Sequence, residues 1–380
     1  MGAKSCLVAV LTALFTLRPS DGRMLGPWDN YTTIYHPQLR NDIYTNPVLP
    51  NVQLADPVVM RYKGMYYMYA TGDVHKSDLP TNEDFSDQYY LSPKGNALTD
   101  HGYRVFLSTD LVNWKRGPVV FDPPDRLPFA WAPHVFYDKT SESFYLYYSL
   151  STRVGVARAS SPYGPFEHVT VLIPNAIDAF VLEDGNDLYL YYVNLPSSEI
   201  SVHKMSSPTE LDADASPVLV IAHEGIPWEM HGGEINEAPW VFEKNGTYYL
   251  LYSGSYFYLE DYAIGYATSS SPLGPFERSP DNPIMHKSET VFGPGHLAIT
   301  TDDAGDMWVL YHQKMERRPT YTGEDRRICI DKLRVSADGR LLVNATRESL
   351  PAPFINPSKT QSGLFRNSMF VEEHIEVRLS

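Results

Sequence analysis

Residues 234–253 read EINEAPWVFEKNGTYYLLYS. An acidic residue, Glu237, stands two residues before a proline and an apolar strand; Asn245-Gly246 follows as a turn, and a second strand of tyrosines and leucines completes the stretch. Two strand-like runs joined by Asn-Gly are typical of a β-hairpin. The stretch therefore predicts a hairpin with a carboxylate at the head of its first strand.

The same pattern occurs five times along the chain. Each copy has an apolar strand, a turn that contains Gly or Asp, and an aromatic strand; the copies begin at Asp56, Trp131, Asp178, Glu237 and Gly295. A second repeat, SSPYGPFE at 160–167 and SSPLGPFE at 270–277, differs at one position. Five units of about four strands, with no sustained 3.6-residue periodicity, predict an all-β protein that forms a five-bladed β-propeller. The alternative, a two-sheet sandwich, would not require a repeated unit.

The repeats suggest how the chain is organised. Residues 46–341 hold the five units and form the expected catalytic propeller, residues 23–45 form an extended lead-in, and residues 342–380 form a C-terminal extension that packs on or closes the propeller. Residues 1–22 combine one lysine, a short apolar run and small residues at the end, which is the pattern of a secretory signal peptide. The run is too short to span a bilayer, so an uncleaved anchor is the less favoured alternative.

Charge and cysteine content restrict the partners and the compartment. A net charge of −15 argues against nucleic acid or an anionic membrane as a partner. Removal of the leader leaves Cys329 as the remaining cysteine, so we expect no internal disulfide and a buried thiol in a strand. Sequons at Asn30, Asn245 and Asn344 agree with an extracellular glycoprotein. We expect a monomer.

The repeat starts are where chemistry is expected. In a propeller the innermost strands line a central channel, so the starts of these strands gather at one mouth of it. Three of the starts are carboxylates, Asp56, Asp178 and Glu237. Pro57 follows Asp56 and favours extended backbone there. Two carboxyls that face each other are the minimal machinery of glycoside hydrolysis, and a third would raise the proton affinity of its neighbour.

The repeat starts together also resemble a known family. The stretches NPVLPNVQLADPVV, WAPHVF, IDAFV, NEAPWVFEKNGTYYLLYSG and VFGPGHLAI occur in the order found in glycoside hydrolase family 43, the inverting arabinofuranosidases, xylosidases, arabinanases and related galactan hydrolases. The resemblance implies that Asp56 is the general base, that Glu237 is the general acid, and that Asp178 tunes and orients the acid.

Further site residues are implied less directly. The resemblance implies that His296 is a channel histidine that helps to hold a calcium ion or an ordered water; a hydrogen-bonded histidine without metal is the alternative, because calcium prefers oxygen ligands. It also implies that Arg326 contacts substrate, with Arg327 as the neighbouring alternative. Three aromatic residues beside the repeat starts, Trp131, Phe180 and Trp240, are suited to stacking on a sugar ring; core packing is an equal alternative for Trp240 and a lesser one for Trp131. The chain departs from the family pattern at His134, where an acid is usual, and at Ala179, where proline is common.

The sequence thus predicts a secreted, inverting glycoside hydrolase that acts on arabinose- or xylose-containing carbohydrates, or on related galactans, and that requires no cofactor. A catalytically silent glycan-binding propeller is the main alternative, and a propeller used as a protein-interaction platform is another. A retaining fructan hydrolase is disfavoured because its Trp-x-Asn-Asp-Pro-Asn and Arg-Asp-Pro motifs are absent. The choice of sugar would depend on loops such as 71–104, 193–199 and 255–262.

Overall fold

Five antiparallel sheets follow one another along the chain in the computed structural model, which describes residues 42–72, 102–123, 130–317 and 326–356. Blade 1 contains β2 (Ala55–Tyr62), β3 (Met65–Thr71), β4 (Tyr103–Ser108) and β5 (Lys115–Phe121). Blade 2 contains β6 (Ala130–Asp138), β7 (Ser143–Leu150), β8 (Arg153–Ala159) and β9 (Glu167–Pro174). Blade 3 contains β10 (Ala176–Asp184), β11 (Asp187–Asn194) and β12 (Glu199–Ser207), with β13 (Glu210–Leu211) and β14 (Val218–Ile221) outside them.

The last two blades repeat this order. Blade 4 contains β15 (Asn236–Lys244), β16 (Thr247–Gly254), β17 (Ala263–Ser269) and β18 (Glu277–Arg278). Blade 5 contains β19 (Phe292–Thr301), β20 (Met307–Lys314), β21 (Arg326–Val335) and β22 (Leu341–Leu342). The first strands contact one another in a closed cycle, β2 to β6 to β10 to β15 to β19 and back to β2. The prediction of an all-β, five-bladed propeller is confirmed.

Every innermost strand carries the same irregularity near its start. Pairing with the second strand skips two residues, and the first of them, here called the bulge residue, has a positive φ between 39° and 58°; the bulge residues are Asp56, Ala132, Asp178, Ala238 and His296. A β-bulge bends the strand and redirects the side chains beside it. The extended backbone expected at Asp56 is therefore wrong, because the bulge outweighs the local preference set by Pro57.

The amide of each bulge residue is capped by a side chain of the preceding blade. In four of the five cases the acceptor lies on the second strand of the preceding blade. There it pairs with the residue that comes just before that blade's own bulge residue. These four hydrogen bonds run from Asp56 to His312 Nδ1 (3.2 Å), from Ala132 to Thr71 Oγ1 (2.7 Å), from Asp178 to Ser149 Oγ (2.9 Å) and from His296 to Ser253 Oγ (2.9 Å). The caps give buried N–H groups their partners and fix the bulges relative to one another around the channel.

Tyrosine hydroxyls join neighbouring blades farther out. Tyr69 donates to the carbonyl of Pro162 (2.6 Å), Tyr147 to that of Pro208 (2.6 Å), and Tyr191 to that of Pro272. Two of these prolines belong to the SSPxGPFE repeat, so the repeat is explained by its position at the blade interface. The buried tyrosine-rich strands also supply much of the apolar core between blades.

The ring is closed by segments that flank the blades. β1 (Ile43–Thr45) pairs with β23 (Ser349–Pro351). Asp331 on β21 accepts hydrogen bonds from Tyr44 (2.8 Å), Tyr311 (2.6 Å) and the Thr346 hydroxyl (2.7 Å). This small sheet and the buried polar network thus join the segment before blade 1 to blade 5 and to the segment that follows blade 5.

Several expectations about the chain concern single features. Cys329 is fully buried in β21, as predicted. Asn245 lies in an exposed turn, and Asn344 is exposed. The predicted signal peptide, residues 1–22, and Asn30 lie outside the described residues. Among the residues that are described, no helix is both long and apolar enough to cross a membrane.

Candidate active site

The three predicted acids gather at one mouth of the channel, but they do not occupy one register position. Asp56 and Asp178 are bulge residues of blades 1 and 3, and His296 is the corresponding residue of blade 5. Glu237 precedes the bulge residue Ala238 and pairs with Ser253, as Trp131 pairs with Ser149 in blade 2. Glu237 therefore enters the mouth one residue earlier on its strand than the two aspartates do.

Asp56 is held as a carboxylate by a cationic neighbour. Arg326 Nη1 donates to Oδ1 of Asp56 at 3.0 Å, and His296 Nδ1 lies 3.4 Å from the same oxygen. Burial by itself raises the pKa of Asp56, but Arg326, followed by His296 and His312, outweighs burial and holds the pKa well below its usual range. Asp56 is therefore ionised at neutral pH.

Arg326 is itself fixed from the other side. Its guanidinium carbon lies 5.0 Å from the centre of the Phe257 ring, in a cation–π arrangement. The neighbouring Arg327 points elsewhere, since its Nε donates to the carbonyl of Pro50 at 3.1 Å. Of the two arginines that the sequence left open, Arg326 is the one that donates to Asp56.

Glu237 is in the opposite electrostatic condition. Burial raises the pKa of Glu237 to about 7; a hydrogen bond from Tyr262 opposes this shift and the negative charge of Asp56 adds to it. The Tyr262 hydroxyl donates to Oε1 of Glu237 at 2.7 Å. A carboxyl with a pKa near neutrality can carry and release a proton at neutral pH, which is what a general acid requires.

Asp178 connects the two other acids. Its Oδ2 accepts the N–H of Ala238 at 3.1 Å and lies 4.0 Å from Nδ1 of His296. Burial, followed by the charges of Glu237 and Asp56, raises the pKa of Asp178 well above its usual value. In blade 3 the position that holds a capping side chain elsewhere is Val193, which pairs with Ile177 and has no polar atom in its side chain. Asp178 provides the missing cap.

Burial disfavours the protonated form of the two histidines at this mouth. Burial lowers the pKa of His296, and it lowers the pKa of His312 to about 3. Nδ1 of His312 lies 3.2 Å from the backbone nitrogen of Asp56 and 3.3 Å from Oδ1 of the same residue. His312 is fully buried and its ring is stacked on that of Tyr262, with centroids 5.7 Å apart and planes 6° apart. Sequence reasoning missed both His312 and Tyr262.

The predicted aromatic residues divide into two groups. Trp131 is half-buried at the register position of Glu237, beside the mouth. Phe180 is buried below the acids, with its ring centroid 4.6 Å from that of Trp240 and 4.8 Å from that of His134. Trp240 packs against four of the five apolar clusters. This placement favours the core-packing alternative for Phe180 and Trp240, and their contact with sugar stays a prediction.

His134, the residue that replaces the family's usual acid, lies in the same part of the channel. It is buried against Phe180 and Trp240, and burial lowers the pKa of His134 to about 3. Together with apolar residues of the inner strands, it forms the wall of a small cavity that Asp178 and His296 also line. The replacement puts a neutral ring where the family pattern has a charge.

The donor set around His296 bears on the implied calcium ion. Calcium takes six to eight oxygen ligands in proteins. Here one imidazole faces two carboxylates, and no group of three or more His, Cys, Asp or Glu in the described part of the chain is arranged to hold a metal. These residues do not fit calcium bound by protein ligands, so the ion stays a prediction and no step below passes through a metal.

Comparison with known proteins agrees with the geometry. The sequence profile of the glycosyl hydrolases family 43 matches residues 44–341. A β-D-galactofuranosidase of Aspergillus niger is 27% identical over 350 residues, which cover 84% of this chain and 92% of the relative. A xylosidase/arabinosidase of Bacteroides ovatus is 24% identical, with 78% of this chain and 96% of the relative covered.

A solved structure matches the fold over most of both chains. The crystal structure of a thermostable family-43 glycoside hydrolase superimposes with a TM-score of 0.68 at 29% identity, covering 82% of this chain and all of the other. The profile match spans all five blades, and the two carboxyls of opposite proton affinity lie at the mouth that those blades form. On these grounds the chain belongs to glycosyl hydrolase family 43 and is a glycoside hydrolase.

Proposed function

We propose that the protein hydrolyses glycosidic bonds with inversion of the anomeric centre, with Asp56 as general base and Glu237 as general acid. The observation that carries the proposal is their opposite electrostatic environment at one mouth. Arg326 keeps Asp56 ionised, while burial raises the pKa of Glu237 to about 7. Two carboxyls with well-separated proton affinities are the arrangement that divides acid and base work between two groups.

In this mechanism the two proton transfers accompany one displacement. Asp56 takes a proton from water, and the water oxygen forms a bond to the anomeric carbon. The bond from that carbon to the leaving oxygen breaks on the opposite face, and Glu237 gives its proton to the leaving oxygen. The products are a sugar of inverted configuration and an alcohol; Glu237 then regains a proton and Asp56 loses one to solvent.

We assign Asp178 to the tuning of Glu237. Its Oδ2 holds the amide of Ala238, the residue that follows Glu237, so it fixes the backbone from which the acid projects. The two carboxyls are also linked electrostatically, because the charge of Glu237 raises the pKa of Asp178. Arg326 donates to Asp56, and we assign it a contact with a sugar hydroxyl as well.

For the substrate we propose a glycan that contains arabinose or xylose. The Bacteroides ovatus relative is named a xylosidase/arabinosidase, and the Aspergillus niger relative a β-D-galactofuranosidase. β-D-Galactofuranose and α-L-arabinofuranose share their ring configuration and differ in the exocyclic chain, so a galactofuranoside is the second candidate. We also propose that the protein is secreted, on the basis of residues 1–22 and the sequons.

The test combines a substrate panel with product analysis. Purified protein is assayed on aryl α-L-arabinofuranoside, β-D-xyloside and β-D-galactofuranoside, and on arabinan, arabinoxylan, xylo-oligosaccharides and β-1,3-galactan. Proton NMR of the first product should give the inverted anomer. Retained configuration would overturn the assignment of Asp56 as a base that acts through water.

Substitution of the acid provides the second arm. Glu237→Gln should lower kcat/KM on natural oligosaccharides by about 10² to 10⁴-fold and should have a much smaller effect on a dinitrophenyl glycoside, whose leaving group needs no proton. Glu234 is the matched control, since its Oε1 accepts the N–H of Gly225 in the loop that precedes the strand. Glu234→Gln should retain activity; loss of activity equal to that of Glu237→Gln would contradict the assignment.

A further inference from the structure

Tyr262 contacts the surroundings of both catalytic carboxyls, although it lies outside the five repeat starts. It is fully buried and directly precedes β17. Its hydroxyl donates to Oε1 of Glu237 at 2.7 Å. A carboxylic acid that accepts a hydrogen bond at one oxygen carries its own proton on the other. Tyr262 therefore directs the proton of Glu237 to Oε2, the oxygen to which we assign proton donation.

The ring of Tyr262 extends the contact to the base. It is stacked in parallel on His312, and Nδ1 of His312 accepts the N–H of Asp56 at 3.2 Å. Since His312 is fully buried between the Tyr262 ring and the base, it can turn only if the tyrosine moves. The position of the Asp56 bulge is thus linked to the position of the Tyr262 ring.

Gly295 provides the space for this ring. A Cβ atom at position 295 would lie 1.8 Å from Cε1 of Tyr262, and 2.1 Å from Cδ1. The backbone φ of Gly295 is not in the left-handed region, so the conformation itself does not demand glycine. What demands it is the tyrosine ring, which lies against the strand that carries His296.

We propose that Tyr262 is a positioning residue for both carboxyls: its hydroxyl orients the acid Glu237, and its ring, through His312, holds the base Asp56. The inference rests on the acid and base assignments made above. It predicts that the two contacts of one side chain can be separated by substitution, because one belongs to the hydroxyl and the other to the ring.

The experiment compares Tyr262→Phe, Gly295→Ala and Tyr44→Phe in the full-length protein. Tyr44 is the matched control, because its buried hydroxyl also donates to a carboxylate, Asp331, but in the ring closure. Each variant is assayed on a natural oligosaccharide, which needs the acid, and on the corresponding dinitrophenyl glycoside, which needs only the base. Thermal unfolding is recorded for each, to compare the folded fraction.

Tyr262→Phe should lower kcat/KM about tenfold on the oligosaccharide and much less on the dinitrophenyl glycoside. It should also shift the alkaline limb of the pH profile to higher pH, because the lost hydrogen bond had lowered the pKa of Glu237. Gly295→Ala should lower activity on both substrates. Tyr44→Phe should change neither the ratio of kcat/KM on the two substrates nor the alkaline limb of the pH profile.

The inference would be overturned if Tyr262→Phe lowered kcat/KM equally on both substrates, or if it left the alkaline limb of the pH profile in place. This test does not depend on whether the Gly295→Ala variant folds. If Glu237→Gln itself kept full activity on the oligosaccharide, the acid assignment would fail instead. The two failures are therefore distinguishable.

Discussion

The backbone N–H of Ala238 donates to Oδ2 of Asp178 at 3.1 Å. In the other four blades the amide of the bulge residue donates to a threonine, a serine or a histidine on the second strand of the preceding blade. In blade 3 that strand position is Val193, so an acid of the site performs a structural task as well. Asp178 thus has two separable features, an oxygen that acts as an acceptor and a carboxyl that can titrate.

Substitutions at position 178 should separate these features. Asp178→Asn retains an acceptor oxygen for Ala238, whereas Asp178→Ala does not. Both should lose activity, but Asp178→Ala should be less stable than Asp178→Asn by about 1 to 2 kcal/mol, because a buried N–H is left without a partner. Urea denaturation of both variants measures the difference.

A second change tests the same idea by rescue. Val193→Ser places a hydroxyl at the position that Ser149 and Ser253 occupy in blades 2 and 4. Combined with Asp178→Ala, it should restore part of the stability and none of the activity. If activity returned with stability, the charge of Asp178 would have no part in the reaction.

The pH dependence of kcat/KM follows from the lowered pKa of Asp56 and the raised pKa of Glu237. Activity needs Glu237 protonated, so it should fall as the pH rises through about 7. Asp56 must be ionised, and Arg326 keeps the pKa of Asp56 well below its usual range, so no acid limb from Asp56 should appear while the protein stays folded. A dinitrophenyl glycoside should lack the alkaline limb; a limb of equal size on both substrates would mean that Glu237 is not the proton donor.

Removal of the cation should expose the missing acid limb. Arg326→Gln takes away the guanidinium that donates to Asp56 at 3.0 Å, and the pKa of Asp56 should rise because burial then dominates. We expect a loss of about 10 to 100-fold in kcat/KM at neutral pH, with a steeper loss toward low pH. Arg327→Gln is the control on the neighbouring residue and should leave the pH profile unchanged.

The raised pKa of Glu237 also predicts a stability effect. The pKa of Glu237 is about 7 in the folded protein and near 4.5 in the unfolded chain. The free energy of unfolding should therefore fall as the pH rises from about 4.5 to about 7, because ionisation of this buried carboxyl is unfavourable in the folded state. Glu237→Gln keeps the oxygen that Tyr262 binds and cannot ionise. It should therefore melt at a higher temperature than wild type above pH 7, and at a similar one near pH 4.

Inter-blade tyrosines offer a test of the fold itself. Tyr147→Phe removes the hydroxyl that donates to Pro208 at 2.6 Å and should reduce the free energy of unfolding by about 1 kcal/mol. Tyr145 lies two residues away on the same strand, and its hydroxyl is 3.3 Å from Ser141. Tyr145→Phe should have a smaller effect, and equal effects would remove the inter-blade bond as the cause.

The repeat pattern was sufficient to predict the five blades, and the position of each acid at the head of an inner strand follows from it. The register of the acids could not be read in the same way. A bulge inserts one residue without changing the apolar pattern, so the apolar run does not show which residue is in the bulge: Asp56 is the bulge residue directly before Pro57, whereas Glu237 precedes the bulge and stands two residues before Pro239. The left-handed backbone of Asp56, Ala132 and His296 has no local signal, because the neighbouring blade imposes it.

Tyr262 and His312, which contact the acids without being repeat starts, could not be predicted from the sequence for a related reason. Tyr262 precedes a third strand and His312 belongs to a second strand, and nothing in their surroundings differs from ordinary strand sequence. Their relation to the acids arises from contacts between blades 4, 5 and 1. Phe180 and Trp240 posed the opposite difficulty, since an aromatic residue beside an acid suggests sugar binding until its packing is known.

The closure of the ring by β1, β23 and Asp331 has a consequence for folding kinetics. Tyr44 and Asp331 are 287 positions apart, whereas the strands of each blade are neighbours in the chain. Long loops cost more entropy to close, so we expect the blades to form first and the closure to be largely absent from the folding transition state. Asp331→Asn should then accelerate unfolding while refolding keeps its rate, which would make this one buried carboxylate a determinant of how long the native state persists.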